Sequence, residues 1–164
     1  MNVEIVKARS DYDEAICHVI QSVGAEFGAV GEGFGPSDPE VAAMSGHYVE
    51  AQGSLYLVAL VDGKVVGGCG IAPFASRDDV CELKKLFLLP ESRGLGLGKK
   101  LTEQCLEFAS EHGYRQCYLD TLASMTSAIQ LYESMGFTHL TQPLEGTIHN
   151  RCDVWMLKTL HRPS

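Results

Sequence analysis

No two cysteines in this chain are spaced as CxxC, no HExxH run occurs, and no basic stretch precedes an apolar one at the start. The longest apolar run, Leu55 to Val61, has seven residues, against the ~20 that a membrane-crossing helix needs. These absences argue against a zinc site, a secretory leader and a membrane span. Positive charge is also scarce: 13 Lys and Arg stand against 21 Asp and Glu, a net charge of −8. A non-specific nucleic-acid binder needs cations to displace the counterions of phosphate, so no nucleic-acid partner is expected. Weak steering of a cationic substrate fits the acidic balance, as does plain solubility.

What is present is ordinary globular composition, 45% hydrophobic and 21% charged over 164 residues. A single domain spanning 1–164 is expected. A chain of this size buries roughly 70% of its unfolded surface and needs neither disulfides nor metal to fold. The six cysteines are Cys17, Cys69, Cys81, Cys105, Cys117 and Cys152. All but Cys17 lie in apolar surroundings, so they read as free buried thiols in a reducing, cytoplasmic compartment. The run His149-Asn150-Arg151-Cys152 offers one His and one Cys without a second ligand pair.

Val3 to Lys7 alternates as a strand does, and Ser10 precedes a helical pattern carried by Ile16, Val19, Ile20 and Val23. Ser10 is placed as the cap, with Asp13 at capping-box distance. Residues 28–39 are rich in Gly and Pro and form a loop. Asp38-Pro39 then reads as the start of a second helix that runs to about Glu50. Asp62-Gly63 is a hairpin signal between Leu55–Val61 and a return strand, Lys64 to Phe74. Gly67, Gly68 and Gly70 in that strand suggest a bulge or a close neighbour. Strands follow at Val80 to Leu89, Gln116 to Leu122, Phe137 to Leu140 and Cys152 to Leu157. Helices are placed at Lys99 to His112, with Leu101, Cys105, Phe108, Ala109 and His112 on one face, and at Thr126 to Met135. The order β-α-α-β-β-β-α-β-α-β-β describes one α/β (α+β) domain with a mixed sheet.

The most informative stretch runs from Leu86 to Lys100, where a strand enters a glycine loop and the loop opens a helix. Exposed N–H groups at a helix N-terminus favour a phosphate, and glycines let backbone approach it. The P-loop pattern fails, because Arg93 stands where Gly is needed and Lys100 where Ser or Thr is. The dinucleotide pattern fails at Lys99. Arg93, Gly96 and Gly98 do meet Arg/Gln-x-x-Gly-x-Gly/Ala. By itself that spacing also suits a plain connecting turn.

Downstream, Ala128-Ile129-Gln130-Leu131-Tyr132-Glu133-Ser134-Met135-Gly136-Phe137 follows the pattern A-x-x-L-Y-x-x-x-G-F. With these two motifs, the element order and the closing Trp155-Met156-Leu157-Lys158, the chain resembles the GNAT acyltransferases over nearly its whole length. That resemblance implies a mixed, mostly antiparallel central sheet flanked by helices, and acetyl-coenzyme A as co-substrate. It places the pyrophosphate on Gly94, Leu95, Gly96, Leu97, Gly98 and Lys99, with Arg93 adding charge or only backbone contact. It lays the pantetheine arm along Leu86, Phe87 and Leu88. Many relatives carry an Asn near the start of the next helix; here Ser127 or Thr126 offers a hydroxyl instead.

The resemblance also implies chemistry. An amine acceptor has a pKa near 10.4 and must lose a proton to attack. Glu82, eleven residues before Arg93, holds the position of the glutamate base in the histone-acetylating branch and can act directly or through water; it also suits an exposed strand Glu paired with Lys84 or Lys85. Tyr132 lies where relatives protonate the leaving thiolate, or packs against the sheet. No Cys stands in place for an acyl-enzyme, so direct transfer in a ternary complex is expected. The loop holding Glu32, Phe34 and Asp38 borders the acceptor site, as do His149 and Asn150 unless they form a surface pair. A homodimer is the assembly that the family often adopts. A non-catalytic acyl-CoA-binding sensor on the same fold is the competing reading.

Overall fold

The reversal at Asp62-Gly63 shows local chemistry setting the fold. Asp62 has φ 51° and Gly63 φ 80°, the two left-handed residues of a type I′ hairpin turn. The turn also holds the first strand, since the Asn2 amide donates to Asp62 Oδ1 at 2.8 Å. The computed structural model describes residues 1–74, 77–147 and 151–160.

Eleven elements follow in the expected order: β1 (Val3–Lys7), α1 (Asp13–Glu26), α2 (Met44–His47), β2 (Leu55–Val61), β3 (Lys64–Pro73), β4 (Val80–Leu88), α3 (Leu97–His112), β5 (Gln116–Thr121), α4 (Thr126–Ser134), β6 (Thr138–His139) and β7 (Val154–Thr159). They make one seven-stranded sheet in the order β1-β2-β3-β4-β5-β7-β6. Every pairing is antiparallel except β4 with β5. All but one residue of β2 are buried, because helices cover both faces there. Helix α1 turns Ile16, Val19, Ile20 and Val23 into the core, and α3 turns in Leu97, Leu101, Cys105 and Ala109. A smaller cluster of Phe74, Val80 and Tyr118 gathers Trp155 and Leu157 near the far edge.

Four local expectations are corrected. Ser10 opens a 3₁₀ turn instead of capping α1, and no side-chain cap bond forms. Asp13 instead accepts from the Ser45 amide at 2.9 Å and the Ser45 hydroxyl at 2.7 Å, clamping α2 onto α1. The second helix is broken into a 3₁₀ stretch, Pro39–Ala43, and the single turn of α2; Asp38 precedes it without capping it. His112 is exposed and stacks on Phe108 at 5.8 Å between centroids. Cys152 is only half-buried.

The sheet opens at its centre. Strands β4 and β5 pair over Val80↔Gln116, Cys81↔Cys117 and Glu82↔Tyr118. Beyond that point β4 continues to Leu88 and β5 to Thr121 without pairing with each other, each held only by its other neighbour. A β-bulge diverts β4: Gly68 pairs with Phe87 but Gly70 with Lys84, so Cys69 faces two residues, Lys85 and Leu86. Lys85 has φ 56°, an uncommon backbone state for a side-chain-bearing residue. Tyr56 of β2 holds the bulge by reaching across β3 and donating its hydroxyl to the Lys85 carbonyl at 2.9 Å. Only glycine permits that reach: a Cβ on Gly68 or on Gly70 would lie 2.6 Å from the Tyr56 ring. The expected close neighbour is therefore Tyr56 for Gly68 and Gly70, and Leu88 of β4 for Gly67.

Candidate active site

Two cavities flank the opening of the sheet. The larger, about 360 Å³, lies at the start of α3. Its wall includes Leu86, Phe87 and Leu88 of β4, the loop residues Arg93, Gly94 and Gly96, and Leu97, Gly98 and Lys99 of α3. Gly94 has φ 83° and Gly96 φ 76°. A Cβ at either would meet nothing within 4 Å, so their exposed faces leave room for a ligand. Gly96 is the residue before the first turn of α3, whose leading N–H groups have no intrahelical acceptor. At 16 residues, α3 presents a full dipole there. Backbone donors plus dipole suit a diphosphate; the apolar wall of Val23, Phe27, Met125 and Leu131 suits a pantetheine-like arm.

Of the residues assigned to the donor from sequence, Leu86, Phe87, Leu88, Arg93, Gly94, Gly96, Leu97, Gly98, Lys99 and Ser127 line this cavity. Leu95 projects outward, exposed. Of the two hydroxyl residues left open by the sequence, Ser127, in the first turn of α4, lies on this wall and Thr126 does not. Lys99 is exposed and pairs loosely with Glu103 at 3.9 Å.

Arg93 is engaged within the protein. Its guanidinium forms a bidentate pair with Glu26 at 2.7 and 2.8 Å and donates to the Leu88 carbonyl at 3.1 and 2.9 Å. The hydrogen bond from Arg93 holds the Glu26 carboxyl below its usual range. The positive charge is thus already matched, and Arg93 ties α1, β4 and the glycine loop together. Sequence spacing could not show this, because Glu26 lies 67 positions away.

Tyr132 is not on the wall of this cavity. Its ring is 6% exposed and packs on Phe137 at 5.7 Å. Burial, then nearby Cys69 and Cys117, push its phenol far above the ordinary range, so it keeps its proton.

The smaller cavity, about 60 Å³, lies on the other side of Phe87 and Met125, which line both. Its wall carries Phe34 and Pro36 from the 28–39 loop, Glu82, Lys84 and Lys85 from β4, Asp120 from β5, and Cys152. Phe34 is buried there, whereas Glu32 is exposed and absent from the wall. His149 and Asn150 lie outside the described residues. Glu82 is 8% exposed, which corrects the picture of an exposed strand carboxylate.

A charged cluster that the sequence did not reveal fixes this wall. Lys85, its side chain 2% exposed, pairs with Asp38 at 2.8 Å and Glu40 at 3.1 Å. Lys84 reaches Glu40 at 3.4 Å, and the Tyr48 hydroxyl donates to Glu40 at 2.5 Å. Burial works to raise the Glu40 carboxyl, but Lys85 and Lys84 outweigh it and hold the group low. Burial likewise pulls the Lys84 ammonium down, and Glu82, Glu40 and Asp38 more than reverse this. The bulge at Lys85 is what puts two consecutive lysines beside the same carboxylate. Opposite them, Asp120 accepts from the Thr147 hydroxyl at 2.5 Å and the Tyr118 hydroxyl at 3.4 Å. Burial and then Asp120 push the Cys152 thiol up, so it is a poor nucleophile. Among the described residues no cluster could hold a metal ion, and no helix is long and apolar enough to cross a membrane.

The profile of the Acetyltransferase (GNAT) family matches residues 26–137. The chain is 43% identical over 148 residues, 89% of its own length and 88% of the other's, to the uncharacterized N-acetyltransferase YjgM of Escherichia coli (strain K12). N-acetylaspartate synthetase of Homo sapiens is 37% identical over 101 residues, 62% of this chain and 33% of that protein. The fold is that of yncA from Salmonella typhimurium, a structure determined with its cofactor acetyl-CoA: TM-score 0.79, 22% identity, 100% of this chain and 97% of that one. The chain belongs to the GNAT acetyltransferase family.

Proposed function

We propose that this chain moves the acetyl group of acetyl-CoA to the nitrogen of an amine, by direct attack in a ternary complex. The observation that carries the reading is the meeting of two unlike cavities at Phe87 and Met125. One is a backbone-lined anion cradle and the other holds Glu82. The donor seen in yncA and the amide product named for N-acetylaspartate synthetase support the same assignment.

In this reading the N–H groups at the start of α3 take the diphosphate, Ser127 contributes its hydroxyl, and β4 from Leu86 to Leu88 aligns the arm. A β4 amide there stabilises the carbonyl oxygen as it gains charge. Glu82, directly or through a water, removes the proton from the ammonium, and the freed nitrogen lone pair attacks the carbonyl carbon. As the carbon–sulfur bond breaks, the sulfur takes a proton from Tyr132. Burial holds the Tyr132 proton too tightly for donation while the ring stays covered, so this role requires the donor's sulfur to reach the hydroxyl and bring it into a more polar setting. Cys152, held as a thiol, does not compete as nucleophile.

The test is calorimetry with acetyl-CoA against ATP and NAD, then thiol release over a panel of amines. Selective acetyl-CoA binding with turnover is expected. Glu82→Gln is expected to lower kcat by about 100-fold or more with donor affinity unchanged. A pH–rate profile identical to the parent's would remove Glu82 as base. Tyr132→Phe is expected to lower kcat about tenfold or more; an unchanged kcat with a lowered Tm would make Tyr132 a packing residue. Binding without turnover on any amine would favour the sensor reading.

A further inference from the structure

Building on the acetyl-transfer reading, we propose that the acceptor is a small amine that carries its own carboxylate, an α-amino acid or near relative. Its ammonium lies between Glu82 and Asp120, and its carboxylate is taken by Lys84.

Size comes first. A cavity of about 60 Å³ holds only a handful of waters at roughly 10–15 Å³ each. Its enclosed part suits the few heavy atoms of an amino-acid head group, and a longer acceptor has to extend out of its mouth. Charge comes next. Glu82 and Asp120 stand on the two strands that part here, with Glu82 in register with Tyr118, two residues before Asp120. They supply the anionic side of the cavity.

A plain alkylamine would use only that side, but the wall also carries cations, and the two lysines differ. Lys85 is closed by two carboxylates at 2.8 and 3.1 Å. Lys84 makes a longer ion pair, 3.4 Å to Glu40, with its side chain 10% exposed, and it also feels the charges of Glu82 and Asp38. An ammonium has three donors, so Lys84 retains capacity for an anion. Glu82 and Lys84 are two positions apart on one face of β4, ~7 Å along the strand, a span that an amino acid and a bending lysine stem can bridge. Arg151 stacks over Phe34, a wall residue, at 4.8 Å and adds a second cation nearby.

The experiment compares kcat/KM at saturating acetyl-CoA for alanine against ethylamine, serine against ethanolamine and leucine against isoamylamine, with aspartate and a short peptide alongside. The amino acids are expected to be favoured by about 10- to 100-fold, the range of a hydrogen bond to a charged group. Lys84→Met is expected to cut that ratio about tenfold while calorimetry shows acetyl-CoA affinity unchanged. If Lys84→Met does not fold, Lys84→Gln, which keeps a donor for Glu40, reads the same ratio. Equal use of the decarboxylated amines, preference for the peptide, or a ratio that neither variant moves would overturn the proposal. Loss of acetyl-CoA binding by the parent protein would be a different failure, that of the acetyl-transfer reading itself, and calorimetry separates the two.

Discussion

The cavities proposed for donor and acceptor share Phe87 and Met125 as a common wall and are built in opposite ways. The donor side is made of backbone: glycines at φ 83° and 76°, the first turn of a long helix, and a strand edge. Of the charged side chains on its wall, Arg93 is neutralised by Glu26 and Lys99 stands exposed at the helix start. The acceptor side is made of side chains drawn from distant positions: Asp38, Glu40, Glu82, Lys84, Lys85 and Asp120. A backbone-built site recognises a constant chemical group through geometry that glycine spacing encodes. A side-chain-built site recognises a particular partner through charges that only the folded chain assembles.

The sharpest break of this comparison is Gly96→Glu. It forces a side chain into a left-handed residue and sets a negative charge in the anion cradle. Donor binding is expected to vanish in calorimetry with the fold retained; unchanged affinity would mean that the loop does not hold phosphate. Next in size is Lys85→Met. It leaves Asp38 and Glu40 without their main cation, and chemical denaturation is expected to show a loss of about 3 kcal/mol. Adding Asp38→Asn and Glu40→Gln should recover much of that loss, because the cost lies in unpaired charge. No loss in the single variant would show that the cluster is not structural. The smallest effect is Glu26→Gln. Arg93 keeps its bonds to the Leu88 carbonyl, and the removed charge is exposed and screened, so acetyl-CoA affinity should change by less than about threefold. A tenfold change would return the Arg93 side chain to the donor.

Much of the fold was legible because its signals are local. The type I′ pair Asp62-Gly63, the helical spacing of Ile16, Val19, Ile20 and Val23, and the left-handed Gly113 that ends α3 each depend on a few neighbouring residues. Ser10 misled because its capping pattern competed with a tertiary use for Asp13, the bond to Ser45. The helix expected from Asp38 to Glu50 is broken into two short pieces, and Asp38 and Glu40 at its start pair with Lys85 on another element, a contact that no local pattern records.

The site divides along the same line. By itself the sequence determined the strand–glycine loop–helix unit from β4 to α3, since that follows from the order of neighbouring residues; Glu82 and Ser127 were singled out through the family resemblance. Only the tertiary structure decided that Arg93 is spent on Glu26, that Glu32 stays outside while Phe34 goes in, and that Asp120, Cys152 and the two lysines share the acceptor wall. Those contacts close loops of tens of residues, and the bulge that makes two adjacent lysines face one carboxylate is held by a tyrosine two strands away. Charges meet there because the backbone carries them together, and no local spacing records that.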